Sequence, residues 1–158
     1  MTQPPALQFA TIACTENSQR KYMKQIQRVL LIDDDDTTNY INERGLLKND
    51  LAIQVDIVKD GEAALKYLQN PKSPLRLDLI LLDIKMPGMD GFTFMEMYQQ
   101  LEPKLKATKL FALTSSASLY DLHKLKDYPD VVDHLYKPLK EEVVVKAVIE
   151  HFSKQKTA

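Results

Sequence analysis

Two short, nearly unbroken apolar runs constrain the fold most: RVLLID at 28–33 and LDLILLD at 77–83, each closing on an aspartate. Runs so short and so apolar suit strands covered on both faces, as in a parallel sheet between two layers of helix. The segments between and beyond them supply the remaining elements. A helix capped by Asp36 or a neighbour is expected through about Asp50, with Tyr40, Ile41 and Leu47 on one side. IQVDIVK alternates as a strand does, and Asp60–Gly61 turns the chain. EAALKYLQN puts Ala64, Leu65 and Leu68 on a common helical face and stops before Pro71.

After the loop IKMPGMDG, residues Phe94, Met97, Tyr98 and Leu101 keep the spacing of one helix face. KLFALTSS reads as a fourth strand, SLYDLHKLK as a short helix with Leu119, Leu122 and Leu125 aligned, and VVDHLYK as a fifth strand. EEVVVKAVIEHF closes the series. Its acids lie in the first turn and Lys154 and Lys156 beyond its end, the order that the helix dipole favours. Five strands alternating with five helices predict an α/β fold: a doubly wound, five-stranded parallel sheet with helices on both faces.

A chain of 158 residues suits one domain, expected over 28–153, with a poorly ordered N-terminal extension at 1–27 and a tail at 154–158. Met23 offers a second possible start. A net charge of −1 gives no bulk attraction to nucleic acid or to an anionic membrane. Cys14 alone makes neither an internal disulfide nor a cysteine-built zinc site. No apolar run nears the roughly 18–20 residues of a membrane span. The leader lacks the basic-then-apolar order of a secretory signal, and no basic residue precedes LQFATIAC as lipid attachment at Cys14 would want. The expected location is the cytoplasm.

In an open parallel sheet, ligands bind beyond the carboxyl ends of the strands. Those ends carry Asp33 and Asp34, then Asp83, then Thr114 and Ser115, then Lys137 followed by Pro138. Taken singly, an aspartate at a strand end is a cap or turn residue, and Asp36 and Asp90 are read that way. The coincidence at successive strand ends asks for more. Crowded carboxylates need a cation or a proton, and Mg²⁺ prefers oxygen ligands and phosphate oxygens. Asp33 and Asp34 are therefore expected to hold Mg²⁺. Asp83 is the expected nucleophile for a phosphoryl group, whose oxygens would meet Mg²⁺, the Lys137 ammonium, and the Thr114 hydroxyl or a backbone N–H.

At these residues the sequence resembles the receiver domain of two-component response regulators. The resemblance rests on the acidic pair in LLIDDDD, the motif LILLDIKMPGMDGF, the hydroxyl in FALTSS and the Lys-Pro of LYKPL, and covers about Val29 to Phe152. It implies a flavodoxin-like sheet in strand order 2-1-3-4-5, with Asp83 as phospho-acceptor. It implies metal ligation by Asp33, Asp34, Asp83 and the Lys85 carbonyl. Thr114 becomes the switch hydroxyl, and Lys137 the cation before a cis proline. Lys85 and Ser116 occupy the positions that flank the hydrolytic water. His134 stands where the family usually has Tyr or Phe as the rotating switch residue, and KDYPDVV lacks the small pair common before it.

The implied donor is a phosphohistidine on a sensor histidine kinase or phosphotransfer protein. The chain is expected to be a stand-alone, chemotaxis-regulator-like receiver that catalyses only its own phosphorylation and slow dephosphorylation. It would signal through an unnamed downstream protein, with no nucleic-acid or membrane partner. The rival reading is a haloacid-dehalogenase-like phosphatase using Asp33 and Asp35 with Thr37. It leaves LDIKMPGMDG unexplained, and the further acidic pair that family needs on a later strand end has no strand to carry it, since Lys137 is followed by Pro138 and a single helix.

Overall fold

A computed structural model describes residues 25–115 and 118–153. The strands are β1 (Ile26–Ile32), β2 (Ala52–Val58), β3 (Leu77–Asp83), β4 (Lys109–Ser115) and β5 (Val131–Lys137). The α-helices are α1 (Asp36–Lys48), α2 (Gly61–Gln69), α3 (Gly91–Gln99), α4 (Leu119–Leu125) and α5 (Glu141–Phe152), with one 3₁₀ turn at Pro103–Leu105. The sheet order is β2-β1-β3-β4-β5, and every pairing is parallel. This is the predicted flavodoxin-like architecture.

Successive side chains of a strand face opposite ways, and the central strands use this to feed two cores. Leu30, Ile32, Ile80, Leu82 and Ala112 join α2, α3 and α4 through Leu68, Phe94, Tyr98 and Leu125. Val29, Leu31, Leu79, Leu81, Phe111 and Leu113 join α1 and α5 through Leu46, Val144 and Val148. All seven residues of β3 are buried, which explains the apolar run LILL between Asp78 and Asp83.

Three helix faces differ from expectation. The buried side of α1 is Thr38, Asn39, Asn42, Gly45 and Leu46, while Tyr40 is 59% exposed and Leu47 41%. Close approach of α5 turns the helix this way: a Cβ on Gly45 would lie 3.1 Å from Glu141 Cγ. Leu119, 73% exposed, does not join Leu122 and Leu125, because α4 has only seven residues and its first turn clears the sheet. On α3 it is Met95 that is buried, while Met97 is exposed.

The N-cap of α1 is Asp35, which accepts the Thr37 amide at 3.0 Å; Asp36 is the first helical residue, paired with Lys59. Asp90 caps α3 as expected. The N-terminal extension to residue 24, with Cys14 and Met23, and the tail, with Lys154 and Lys156, lie outside the described residues. No helix among the described residues is long and apolar enough to cross a membrane.

Candidate functional site

The site is assembled at the carboxyl ends of β1, β3, β4 and β5. Asp33 follows β1 and is 1% exposed. Its amide donates to Val58 O, and its carbonyl accepts the Asn39 Nδ2 at 2.9 Å, so α1 fixes the turn from its polar inner face. Asp33 Oδ1 accepts the Asp35 amide at 2.9 Å, which leaves Oδ2 to the site. Asn39 was not legible as a site residue. Its only sequence signal is that Thr38, Asn39 and Asn42 fall on one face of α1, a polar stripe turned inward.

Asp83 closes β3 and is 4% exposed. The loop beyond it is tied down by Ile84 N to Leu113 O at 3.1 Å and by Gly91 N to Ile84 O at 2.8 Å. Gly91 is obligatory on steric grounds: a Cβ there would sit 2.6 Å from Ile84 Cα and 2.7 Å from Asp83 O. Gly88, at φ +76°, takes the backbone region that L side chains rarely adopt. The start of α3 thus rests directly on the backbone of Asp83.

Lys137 joins the two carboxylates. Its Nζ lies 2.7 Å from Asp33 Oδ2 and 3.2 Å from Asp83 Oδ2. The Lys137–Pro138 bond is cis. Asp34, exposed, completes a set in which Asp33, Asp34 and Asp83 each offer an oxygen within 4.8 Å of the others. Thr114 is buried at the end of β4, beside Tyr136 in the register.

The electrostatics follow from the crowding. Burial, then the charge of Asp33, pushes the Asp83 carboxyl up to about 6, against the opposing pull of Lys137 and the Lys85 amide. Burial pulls the Lys137 ammonium down, but its contacts with Asp33 and Asp83 outweigh that and raise it overall. Three acids and one lysine leave the site short of positive charge. An all-oxygen donor set with that deficit fits a hard divalent cation.

Other residues singled out by sequence fall around this centre. The Lys85 amide donates to Asp83 Oδ1 at 3.2 Å, while its ammonium points toward α4, 3.9 Å from Asp121 Oδ2. His134 stands edge-on to Tyr136, with ring centroids 5.3 Å apart, beside a shallow groove lined by Leu119 and Leu122. Ser116 lies outside the described residues. Asp35 spends both oxygens on capping, one on the Thr37 amide and one on the Thr38 hydroxyl; the latter holds its carboxyl below the usual carboxylate range. That leaves it committed to α1 and unlike the second acid of a phosphatase pair.

Fold and site together define a two-component signalling domain. Residues 29–149 match the response regulator receiver domain, and the chain belongs to that family. It is 30% identical over 145 residues to hybrid signal transduction histidine kinase L of Dictyostelium discoideum, covering 90% of this chain and 8% of that protein. It is 33% identical over 124 residues to sensor histidine kinase GacS of Pseudomonas protegens, covering 77% of this chain and 13% of that one. The chain thus spans about a tenth of the length of these two relatives. Among solved structures, the chemotaxis response regulator CheY4 of Vibrio cholerae superposes with a TM-score of 0.67 at 25% identity, over 80% of this chain and 98% of that one. A response regulator receiver protein of Dyadobacter fermentans gives 0.68 at 26%, over 80% and 98%.

Proposed function

We propose that Asp83 accepts a phosphoryl group from a phosphohistidine on a sensor histidine kinase or phosphotransfer protein. The observation that carries this is the Lys137 ammonium shared between Asp33 and Asp83, at 2.7 and 3.2 Å, beside a third carboxylate. Asp83 offers a carboxylate oxygen held on a buried strand end. Its attack on phosphorus forms an acyl phosphate and returns the donor imidazole. Asp33, Asp34, Asp83 and the Lys85 carbonyl would hold Mg²⁺, which when bound neutralises phosphoryl oxygens. Lys137 would move its contact from the Asp83 carboxylate to a phosphoryl oxygen, and Thr114 would donate its hydroxyl to another.

The domain so assigned runs over about 28–153, its setting is the cytoplasm, and its output passes through protein contacts. Incubation with acetyl phosphate and Mg²⁺ should add one phosphoryl mass, and Asp83→Asn should abolish the gain. Labelling of Asp83→Asn at the wild-type rate would move the acceptor elsewhere.

Lys85 and Ser116 would control the lifetime of that group. Neither is an acid or amide: an ammonium donates but accepts nothing, and a serine hydroxyl accepts only as a short, uncharged group, so neither matches a carboxylate or amide in orienting an attacking water. The acyl phosphate should decay more slowly in the wild type than in a Lys85→Asn, Ser116→Glu variant once donor is removed at fixed Mg²⁺. Equal decay rates would clear these two positions of the role.

A further inference from the structure

The amino ends of the strands, opposite the acidic site, hold a second polar cluster built around Arg28. This arginine lies on β1, is 4% exposed, and stacks its guanidinium over the Tyr67 ring, 5.4 Å from the centroid. Nη1 donates to Tyr67 Oη at 2.9 Å, and Nε is buried with no hydrogen-bond partner. Arginine stays protonated in proteins, and a buried charge without a counter-charge is costly.

The acids nearby are engaged by other groups. Asp78, 2% exposed, accepts from Arg76 Nε, the Gln27 amide and Thr108 Oγ1. Asp56 accepts from Tyr67 Oη and from Gln54 Nε2. Among the described residues, Arg28 has no ion-pair partner.

Arg28 lines a cavity of about 190 Å³ whose wall also includes Arg76, Lys104, Lys106, Tyr67 and Ser73, and no carboxylate. Lys106 is occupied: its Nζ reaches Gln99 O and Asp130, so it contributes mainly its stem. Among the described residues Lys104 meets only the exposed Glu102, a contact of little strength. Arg76 commits Nε to Asp78 and keeps its two terminal nitrogens. Arg28, Arg76 and Lys104 therefore line, with their positive charge, a space several times the roughly 30 Å³ that a water molecule occupies. Guanidinium forks match tetrahedral oxyanions in shape and charge.

We propose that this cavity binds a small oxyanion of the phosphate or phosphomonoester class, which serves as the counter-charge of Arg28. The site lies at the other end of the sheet from Asp83 and does not depend on phosphorylation.

The test is amide NMR of the full chain without Mg²⁺, titrated with sodium phosphate against sodium chloride and sodium acetate at matched ionic strength. Phosphate should give saturable one-site shifts at Arg28, Arg76, Leu77 and Lys104–Lys106. Arg28→Lys, which keeps the charge and loses the fork, should weaken binding roughly tenfold or more, the scale of a charged hydrogen bond. Lys104→Gln, at an exposed position, should weaken it severalfold and decides the matter if the Arg28 variant fails to fold. The proposal is overturned by shifts confined to Lys137 and its neighbours, by an equal response to acetate, or by unaltered affinity in Lys104→Gln.

Discussion

Asp83 is held in a place that favours its proton. Its folded pKa of about 6 stands above the ordinary 3.8, so the folded state takes up a proton more readily than the unfolded one. The sign follows from that difference. This group favours folding fully below about pH 4, and the benefit is lost as pH rises through about 6. Near neutral pH the ionised carboxylate then costs on the order of 2–3 kcal/mol, relieved by a bound cation. Without Mg²⁺ at pH 7.5, Asp83→Asn should melt several degrees above the wild type, and the gap should close by pH 4. Mg²⁺ should raise the wild-type melting temperature more than the variant's. A less stable Asp83→Asn at pH 7.5 would show that the Lys137 contact outweighs burial. At the same scale lies a limit of the sequence: four consecutive aspartates are chemically identical, and only the backbone decides that Asp35, not Asp36, turns its carboxylate onto the helix start.

The elements show which parts of a sequence speak for themselves. β1 and β3 were legible because the middle of a strand buried on both faces is apolar at every position, as VLLI and LILL are, while the buried polar residues Arg28, Asp78 and Asp83 stand toward the strand ends. The acidic pair, Asp83 and Lys137 were legible because parallel order brings strand ends to one edge. The orientation of α1 was not. Its inner face is made of Thr38 and Asn39, which serve the turn after β1, and of the fully buried Asn42, while Tyr40 and Leu47 look outward. Hydrophobic periodicity assigns such a helix the wrong face. The Arg28–Tyr67–Asp56 chain escaped for a similar reason, since its members are far apart in sequence and each reads as a surface residue. Element packing also yields a sharp test. Gly91→Ala drives a methyl into Ile84 Cα and Asp83 O, backbone atoms that cannot swing aside. It should cost roughly 2 kcal/mol or more of stability and displace the acceptor loop. Chemical denaturation and the rate of labelling by acetyl phosphate measure the two effects. An unchanged labelling rate would mean that α3 does not set the position of Asp83.

Across the whole molecule, the sheet joins the acidic edge to a face formed by α4 and β5. Thr114 on β4 is in register with Tyr136, whose ring meets His134, and His134 borders the groove beneath Leu119 and Leu122. A phosphoryl group that draws Thr114 inward would open space for the side chain at 134, a shift between two packings biased by one new contact. Beryllofluoride with Mg²⁺ should therefore move the NMR signals of Thr114, His134 and Leu122 together. Changes restricted to the loop after Asp83 would sever this route. The shared lysine carries a consequence of another kind. Asp33 comes from the first strand, Asp83 from the third and Lys137 from the last, so the cluster has no local precursor along the chain. A polypeptide still emerging from the ribosome, or one cut short before β5, holds two aspartates and no ammonium between them. The carboxylate–ammonium cluster is thus complete only once β5 has joined the sheet beside β4.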